Sequence, residues 1–597
     1  MKTLLLALLA TATPLAAQDY RQRLPQDEVI YFVLPDRFEN GDTANDRAGL
    51  KGGPLTTGFD PTHKGFYHGG DLKGLTKRLD YIQGLGATAI WLGPIFKNKA
   101  VQGAKGQESA GYHGYWITDF TTVDPHLGSE ADLRAFVAAA HGRGMKVYMD
   151  IIVNHTADVI QYRECAEGSL CPYRDRATYP YQRRGGVKGA AINPGFSGDD
   201  VQTAANFAKL TDPNYAYTPY VPAAEKNAKT PAWLNDPVYY HNRGNTSFED
   251  ESSTTGDFSG LDDLYTENPR VIAGMIDIYG SWIDRFGIDG FRIDTAKHVN
   301  PEFWRSFVPA MLDRAKAKGI PNFHIFGEVT AGMEPGALAR WTKIADYPAV
   351  LDFAFMNAVI QTVAENKPTR VLSNLFEGDV LYAKGEATAD ILPTFLGNHD
   401  HGRFARDVPA ANPDASDEEI LKRVELGHAM LLTLRGVPTI YSGDEQGFAG
   451  DGNDQDARED MFASKVASYN DNRLVGTTKT TATDSFIPSH PLYREIAALA
   501  RLRTANPALT RGRQVIRARG DAPGLFAVSR FDPATGREYV IAFNTSAKPL
   551  AQAVQVETAS QRFATMAGTC APTAAAPGSL MLELPAFGYA VCAAESR

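Results

Sequence analysis

The sequence has no surplus of positive charge. Its 60 Lys and Arg stand against 70 Asp and Glu, a formal net charge of -10 at pH 7. No nucleic-acid partner is therefore expected, because such binders carry a basic footprint. Cysteine is scarce, with four residues in 597. None forms a Cys-x-x-Cys pair, so the spacing gives no zinc pattern. Long apolar runs are missing except at the start. Residues 1–17 carry Lys2, an apolar run over 3–10 and the stretch Leu15-Ala16-Ala17. This is a signal-peptide pattern, too short to span a bilayer as a mature helix; a buried N-terminal helix is the alternative. The expected location is secreted or periplasmic after its removal, with no membrane insertion of the mature chain. In that setting Cys165 with Cys171, and Cys570 with Cys592, read as two local disulfides. Four buried thiols are the alternative.

What is present is an ordinary folded composition, 43% apolar and 22% charged, long enough for a large barrel with additions. Apolar strands are predicted at 28–34, 88–92, 146–153, 290–293, 323–326, 350–353, 394–396 and 439–441. Amphipathic helices alternate with them. Ser129 reads as a helix cap with Asp132 three residues on, and Leu133, Phe136, Val137 and Ala140 share one face. Asn268 caps a second helix with Pro269 at its first position. Its stripe is Val271, Ile272, Met275, Ile276, Tyr279 and Ile283, and Gly287 ends it. Eight strands alternating with helices predict an α/β fold, a closed (β/α)₈ barrel of parallel strands. The barrel is expected over 18–154 and 263–512. Residues 155–262, rich in Pro, Tyr, Asn and Gly, break the rhythm and read as an inserted domain after the third strand. From 513 to 597 short alternating runs predict an antiparallel β domain.

Barrel enzymes carry their chemistry at the C-terminal ends of the strands. The third strand here ends in Asp150 and Asn154-His155. The fourth ends in Arg292-Ile293-Asp294 and runs on to Lys297-His298. The fifth ends in Glu328, and the seventh in Asn398-His399-Asp400. One such Asp alone is more often a cap or an ion-pair partner. Three carboxylates, an Arg and two His converging on one barrel mouth are costly without a use.

These segments resemble the α-amylase family (glycoside hydrolase family 13). DIIVNH, GIDGFRIDTAKH, FGEV and FLGNHD match its four hallmark regions in order. GATAIWLGP, AGYHGYW, GLDDL and GVPTIYSGDE match further segments, and together they cover roughly residues 28–450. The resemblance implies the same barrel and insertion, with a C-terminal β-sandwich. It implies Asp294 as nucleophile, Glu328 as acid/base and Asp400 as the third carboxylate, gripping the sugar. Arg292, His155 and His399 resemble the sugar-binding and charge-tuning partners, Tyr115 the aromatic platform, and Lys297 and His298 contacts on the leaving-group side. Physical chemistry gives the same roles a reason. Arg292 lies two residues before Asp294 and shares its face of the strand, which favours ionised Asp294. Glu328 must hold a proton and then release it.

The resemblance also implies Ca²⁺. Asn154 and Asp263, with the backbone carbonyl of His298, are similar to the family's ligands at the junction of barrel and insertion. Asn40, Asp42, Asn45 and Asp46, with Gly69 and Asp71 downstream, resemble an N-terminal calcium loop of cyclodextrin glucanotransferases; a polar turn is the alternative. The implied partner is an α-glucan or maltooligosaccharide, and the chain is expected to be a monomer. GLDDL differs from the QPDLN form typical of α-1,6- and α-glucosidases and from the MPKLN form of neopullulanases, and Lys297-His298 fits α-1,4-acting amylases and cyclodextrin glucanotransferases. The latter usually carry two further C-terminal domains, whereas the residues after Arg513 leave room for one. Hydrolysis is therefore favoured over transfer to a sugar. A non-catalytic, amylase-like binding protein would have lost carboxylates that this chain keeps.

Overall fold

Eight short strands with buried side chains build the centre of the molecule. In the computed structural model, which describes residues 20–166 and 169–595, they are β1 (Ile30–Val33), β2 (Ala89–Leu92), β3 (Lys146–Ile151), β4 (Gly290–Ile293), β5 (His324–Gly327), β6 (Ala349–Val350), β7 (Pro393–Thr394) and β8 (Val437–Tyr441). The expected signal segment 1–17 lies outside the described residues. The strands are parallel, in the order β6-β5-β4-β3-β2-β1-β8-β7. The two end strands meet where Asp352 N donates to Pro393 O at 2.9 Å, which nearly closes the barrel. Every residue of these strands is buried, as parallel strands covered on both faces require. The register sets Arg292 beside Asp150 and Ile293 beside Gly327. Asp294 and Glu328, one residue further on, therefore emerge side by side.

The strand limits differ from expectation at several places, with β1 at Ile30–Val33 against 28–34 and β8 beginning at Val437 against 439. β3 stops at Ile151, and β6 and β7 are two residues each. Phe353 starts a helix instead of ending a strand, because Asp352 accepts from Phe355 N and caps it. The anticipated caps form. Ser129 and Asp132 make a capping box on helix Glu130–Gly142. Asn268 accepts from Arg270 N at the head of helix Pro269–Phe286, and Gly287 ends it at φ 68°, a left-handed value that glycine adopts without strain. Ile272 and Ile276 lie at the margin of that helix's buried face, which runs instead through Ile278 and Trp282.

The segment after β3 leaves and re-enters the barrel as a two-stranded ladder, His155–Thr156 against Asp262–Asp263. It has its own core of Tyr181, Phe196, Phe207, Tyr215 and Tyr217, and Cys165 is bonded to Cys171. The C-terminal strands are β9 (Arg513–Ala518), β10 (Leu525–Phe531), β11 (Glu538–Asn544), β12 (Leu550–Gln555), β13 (Phe563–Ala567), β14 (Ser579–Leu584) and β15 (Tyr589–Ala594). An antiparallel sheet β9-β10-β11-β15-β13 faces the pair β12-β14. Val540, Ala542, Val554, Leu580 and Leu582 fill the space between them, which makes a sandwich. Cys570 is bonded to Cys592.

Candidate active site

One buried guanidinium organises the barrel mouth. Arg292 Nη1 donates to Asp294 Oδ1 at 2.8 Å and to both oxygens of Asp150 at 2.8 and 3.0 Å. Its Nη2 lies 3.0 Å from Glu328 Oε2, but makes no aligned hydrogen bond there. The backbone N–H of Thr295 donates to the same Glu328 oxygen at 3.1 Å. Thr295 reaches it from a left-handed conformation, φ 48°, the kind of local strain that collects at functional sites. Asp150 also accepts from Trp91 Nε1 at 3.1 Å and from Tyr115 Oη at 3.2 Å.

Asp400 stands on the other side. Asn398 Oδ1 accepts from the N–H groups of Asp400 and His401 at 3.0 and 2.8 Å, which sets the turn. Arg458 Nη2 donates to Asp400 Oδ1 at 3.0 Å, and its Nε to His399 O at 3.0 Å. Burial acts to raise Asp400, but His399, Arg458 and Arg292 hold it down at about 2. His399 is itself pushed down to about 3 by burial and is neutral at working pH. The standing charge beside Asp400 is therefore that of the two arginines.

Asp294 moves the opposite way. Burial raises its carboxyl well above the usual range, Arg292 opposes that, and the charges of Glu328, Asp150 and Asp400 add to it. Burial likewise lifts Asp150 to about 7 against Arg292. Arg292 thus acts on Asp294 in the expected direction without deciding the balance alone. Four carboxyl groups around two guanidiniums leave the cluster short of positive charge, which raises the proton affinity of its acids.

A cleft of about 940 Å³ opens over these groups. Tyr115, His155, Asp294, Lys297, His298, Glu328 and Asp400 line it, while Arg292 and His399, both fully buried, stand behind them. Tyr115 Oη lies 2.7 Å from His399 Nε2. His155 stacks on Phe258 at 5.4 Å and is pushed down to about 3 by burial. Its buried Nε2 makes no aligned hydrogen bond within the protein. His298 Nδ1 donates to Ser253 O at 2.7 Å. Lys297 Nζ donates to Thr330 O at 2.7 Å, and burial lowers its pKa.

The candidate calcium ligands divide into two places. Asn154 and Asp263 come together because Asp263 pairs with His155 across the ladder and Leu264 N donates to Asn154 O. Asp263 already holds a partner, His241 Nδ1 at 2.6 Å, whose Nε2 lies 3.0 Å from Glu267. The acids hold that histidine at about 10 against burial, so a protein cation serves Asp263. No cluster of three or more His, Cys, Asp or Glu arranged for a metal occurs among the described residues. The N-terminal loop suits a hard cation better. Asn40 Nδ2 donates to Asp46 Oδ1, and Asn45 Nδ2 and the N–H of Asp42 donate to Asp71 Oδ2. The amide oxygens of Asn40 and Asn45 are buried without partners. A methyl group on Gly69 would lie 2.6 Å from Asn40 Nδ2, so that backbone also closes on the spot. Burial and the charges of Asp71, Asp36 and Asp42 raise Asp46. Carboxylates gathered beside orphaned amide oxygens are the hard donors that Ca²⁺ would take. Asp42 points to Lys73 Nζ at 2.5 Å instead.

Two groups at the centre were not among the sequence candidates for the site. Asp150 sits in a hallmark segment at the end of the third strand, but the sequence pattern gave it no role. Arg458 lies beyond all the recognisable segments and carries no sequence signal.

Residues 32–526 match the alpha-amylase catalytic-domain family model. An alpha-amylase of Streptomyces lividans is 45% identical over 571 residues, 96% of this chain; the chain spans 61% of that relative's length. A solved Anoxybacillus alpha-amylase is similar over 96% of this chain and 100% of its own, with TM-score 0.67 and 27% identity. A solved cyclomaltodextrin glucanotransferase with a three-domain arrangement is similar over 96% of this chain and 99% of its own, with TM-score 0.69 and 25% identity. That last likeness corrects the argument from domain number, because one C-terminal β domain does not separate hydrolases from transferases.

Proposed function

The chain belongs to the α-amylase family, and from that premise we propose that it is a retaining glycoside hydrolase cleaving α-1,4-glucosidic bonds in starch or maltodextrins. The observation that carries the reading is the pair of carboxyl groups, Asp294 and Glu328, held on the two terminal nitrogens of one guanidinium. A shared guanidinium supports a close pair, and a retaining enzyme needs its two carboxyls roughly 5 Å apart. Of the two, only Asp294 receives an aligned bond from Arg292, and the double displacement gives it the part of nucleophile and Glu328 that of proton donor.

Asp294 attacks the anomeric carbon through the oxygen that Arg292 leaves free. The glycosidic oxygen departs with the proton of Glu328. Water, deprotonated by Glu328, then displaces Asp294 and restores both carboxyls. Asp400, kept ionised by Arg458 and Arg292, and neutral His155 hold sugar hydroxyls. Their bonds tighten as the ring flattens. Lys297 and His298 meet the leaving side, and Tyr115 supports the scissile sugar.

A second reading, transfer of the glycosyl group to a sugar hydroxyl, is favoured by the likeness to the three-domain glucanotransferase. Product analysis on amylose, cyclodextrin and pullulan separates the two. Linear maltooligosaccharides from amylose support hydrolysis, cyclic products support transfer, and no cleavage of amylose overturns both.

Ca²⁺ belongs to the proposal as a structural ion. Asn40, Asn45, Asp46, Asp71 and the Gly69 backbone would hold one ion, and Asn154, Asp263 and the His298 carbonyl a second. Secretion or export to the periplasm, as a monomer, is proposed too. The two disulfides support it, since such bonds persist in oxidising compartments. No helix among the described residues is long and apolar enough to cross a membrane.

A further inference from the structure

Guanidiniums also gather at the end of the barrel opposite the cleft, where it rests on the C-terminal sheet. Arg503 and Arg530 are fully buried there, and the chemistry above uses neither. Arg503 belongs to helix Pro491–Ala505. Its Nη1 donates to Leu432 O at 3.2 Å and to Leu434 O at 3.1 Å, and its Nη2 to Gly436 O. It thus ties down the chain that enters β8. Arg530 stands on β10 directly across from Gln514 on β9. Side chains two residues apart on a strand share a face. Ile516 and Val528, two residues from Gln514 and Arg530, pack on the barrel core, so this pair faces the barrel.

Every hydrogen bond of these two guanidiniums goes to a backbone carbonyl. Arg503 Nε, Arg530 Nε, Arg530 Nη1 and Gln514 Nε2 are buried and make no hydrogen bond within the protein. All four are donors. The acceptor of Gln514, Oε1, is taken by Arg435 N at 3.2 Å. The acids nearby do not serve these donors. Asp352 and Asp379 both pair with Arg435, and Arg530 feels the repulsion of Arg435 ahead of the attraction of Asp379. Asp27, which acts on Arg503, pairs with Arg511. Asp390 attracts both arginines but bonds to neither. Burial and the charge of Arg530 push Arg503 down to about 9, and burial pushes Arg530 down to about 10. Both still carry their charge at neutral pH. Two buried cations that share one distant acid, with four donors unused, are costly without a partner.

We propose that Arg503, Arg530 and Gln514 bind a small monovalent anion of chloride size, which locks the C-terminal sheet to the base of the barrel. A halide accepts from several donors at once and brings the charge that the arginines lack. A water would need acceptors for its own hydrogens, whereas the unused groups here are donors. The position, buried and away from the cleft, makes the ion structural.

The test is unfolding in urea across a series of sodium chloride concentrations, with sodium gluconate keeping the ionic strength constant and calcium held fixed. For one bound ion, each ten-fold rise in chloride above its dissociation constant raises the folding constant of the wild type about ten-fold. In Arg530→Met the rise falls below about two-fold. Gln514→Glu brings its own carboxylate to the two arginines. It too loses the chloride response, yet in gluconate alone it is at least as stable as the wild type. If Arg530→Met does not fold, Gln514→Glu carries the test. Crystals grown in sodium bromide show an anomalous-scattering peak between Arg503 and Arg530. A wild type whose stability does not change with chloride, a full chloride response in either variant, or a bromide crystal with only water at that place overturns the site.

Discussion

At the scale of single residues the account rests on who touches Arg292. Asp294→Asn and Glu328→Gln should each lower kcat at least about 10³-fold with the fold intact, checked by steady-state kinetics beside circular dichroism. Near-normal activity in either variant contradicts the assigned roles. Arg458→Met leaves Asp400 without its nearest cation and should lower kcat/KM by about 10- to 100-fold, whereas Arg458→Lys retains part of it. Equal rates in the two variants would show that the charge beside Asp400 does not matter. His324 gives a pH signature away from the cleft. Burial, with Lys146, pushes it down to about 3, against about 6.5 when unfolded. Between those values the unfolded chain binds a proton that the folded chain does not. Its contribution is thus fully present above pH 6.5 and is lost as pH falls toward 3. His324→Gln should therefore lose stability less steeply than wild type between pH 6.5 and 4 in urea titrations; identical slopes contradict it. The proposed catalytic acids stood out because four segments together resemble a known family's pattern. Asp150 was legible only as a strand residue, and Arg458 not at all, since its value comes from a loop folding back over Asp400.

At the scale of elements, legibility followed periodicity and punctuation. β1 to β5 and β8 are apolar runs with nearby glycine or loop signals, and the Ser129 and Asn268 caps stand where oxygen side chains precede apolar stripes. β6 and β7 are too short for periodicity to mark, and Asp352 caps a helix that begins at Phe353, where the expected sixth strand was to end. The insertion could be delimited but not described, because ladders of two residues and buried polar bonds hold it, with little regular pattern. Metal removal belongs to this scale. An ion at about 100 times its dissociation constant adds about 2.7 kcal/mol to the folded state. Chelation should then lower the melting temperature and activity together, and Ca²⁺ should restore both better than Mg²⁺. Asp71→Ala should reproduce the chelated protein. Asp263→Ala should blunt the calcium response less, since His241 already partners that carboxyl. No change on chelation, with no calcium in the purified protein, ends the proposal.

At the scale of the whole molecule, barrel register, inserted wall and buried guanidinium serve one claim, that two adjacent carboxyls carry out a double displacement. A water placed on the far face of the sugar would need carboxyls about 6.5–9.5 Å apart and would invert the anomeric centre. Two displacements restore it, so the first sugar released must be the α-anomer. Proton NMR in the first minutes of maltooligosaccharide hydrolysis, before mutarotation mixes the forms, reads this directly. The account predicts α-anomer first, decaying toward the equilibrium mixture; β-anomer as the initial product would contradict it.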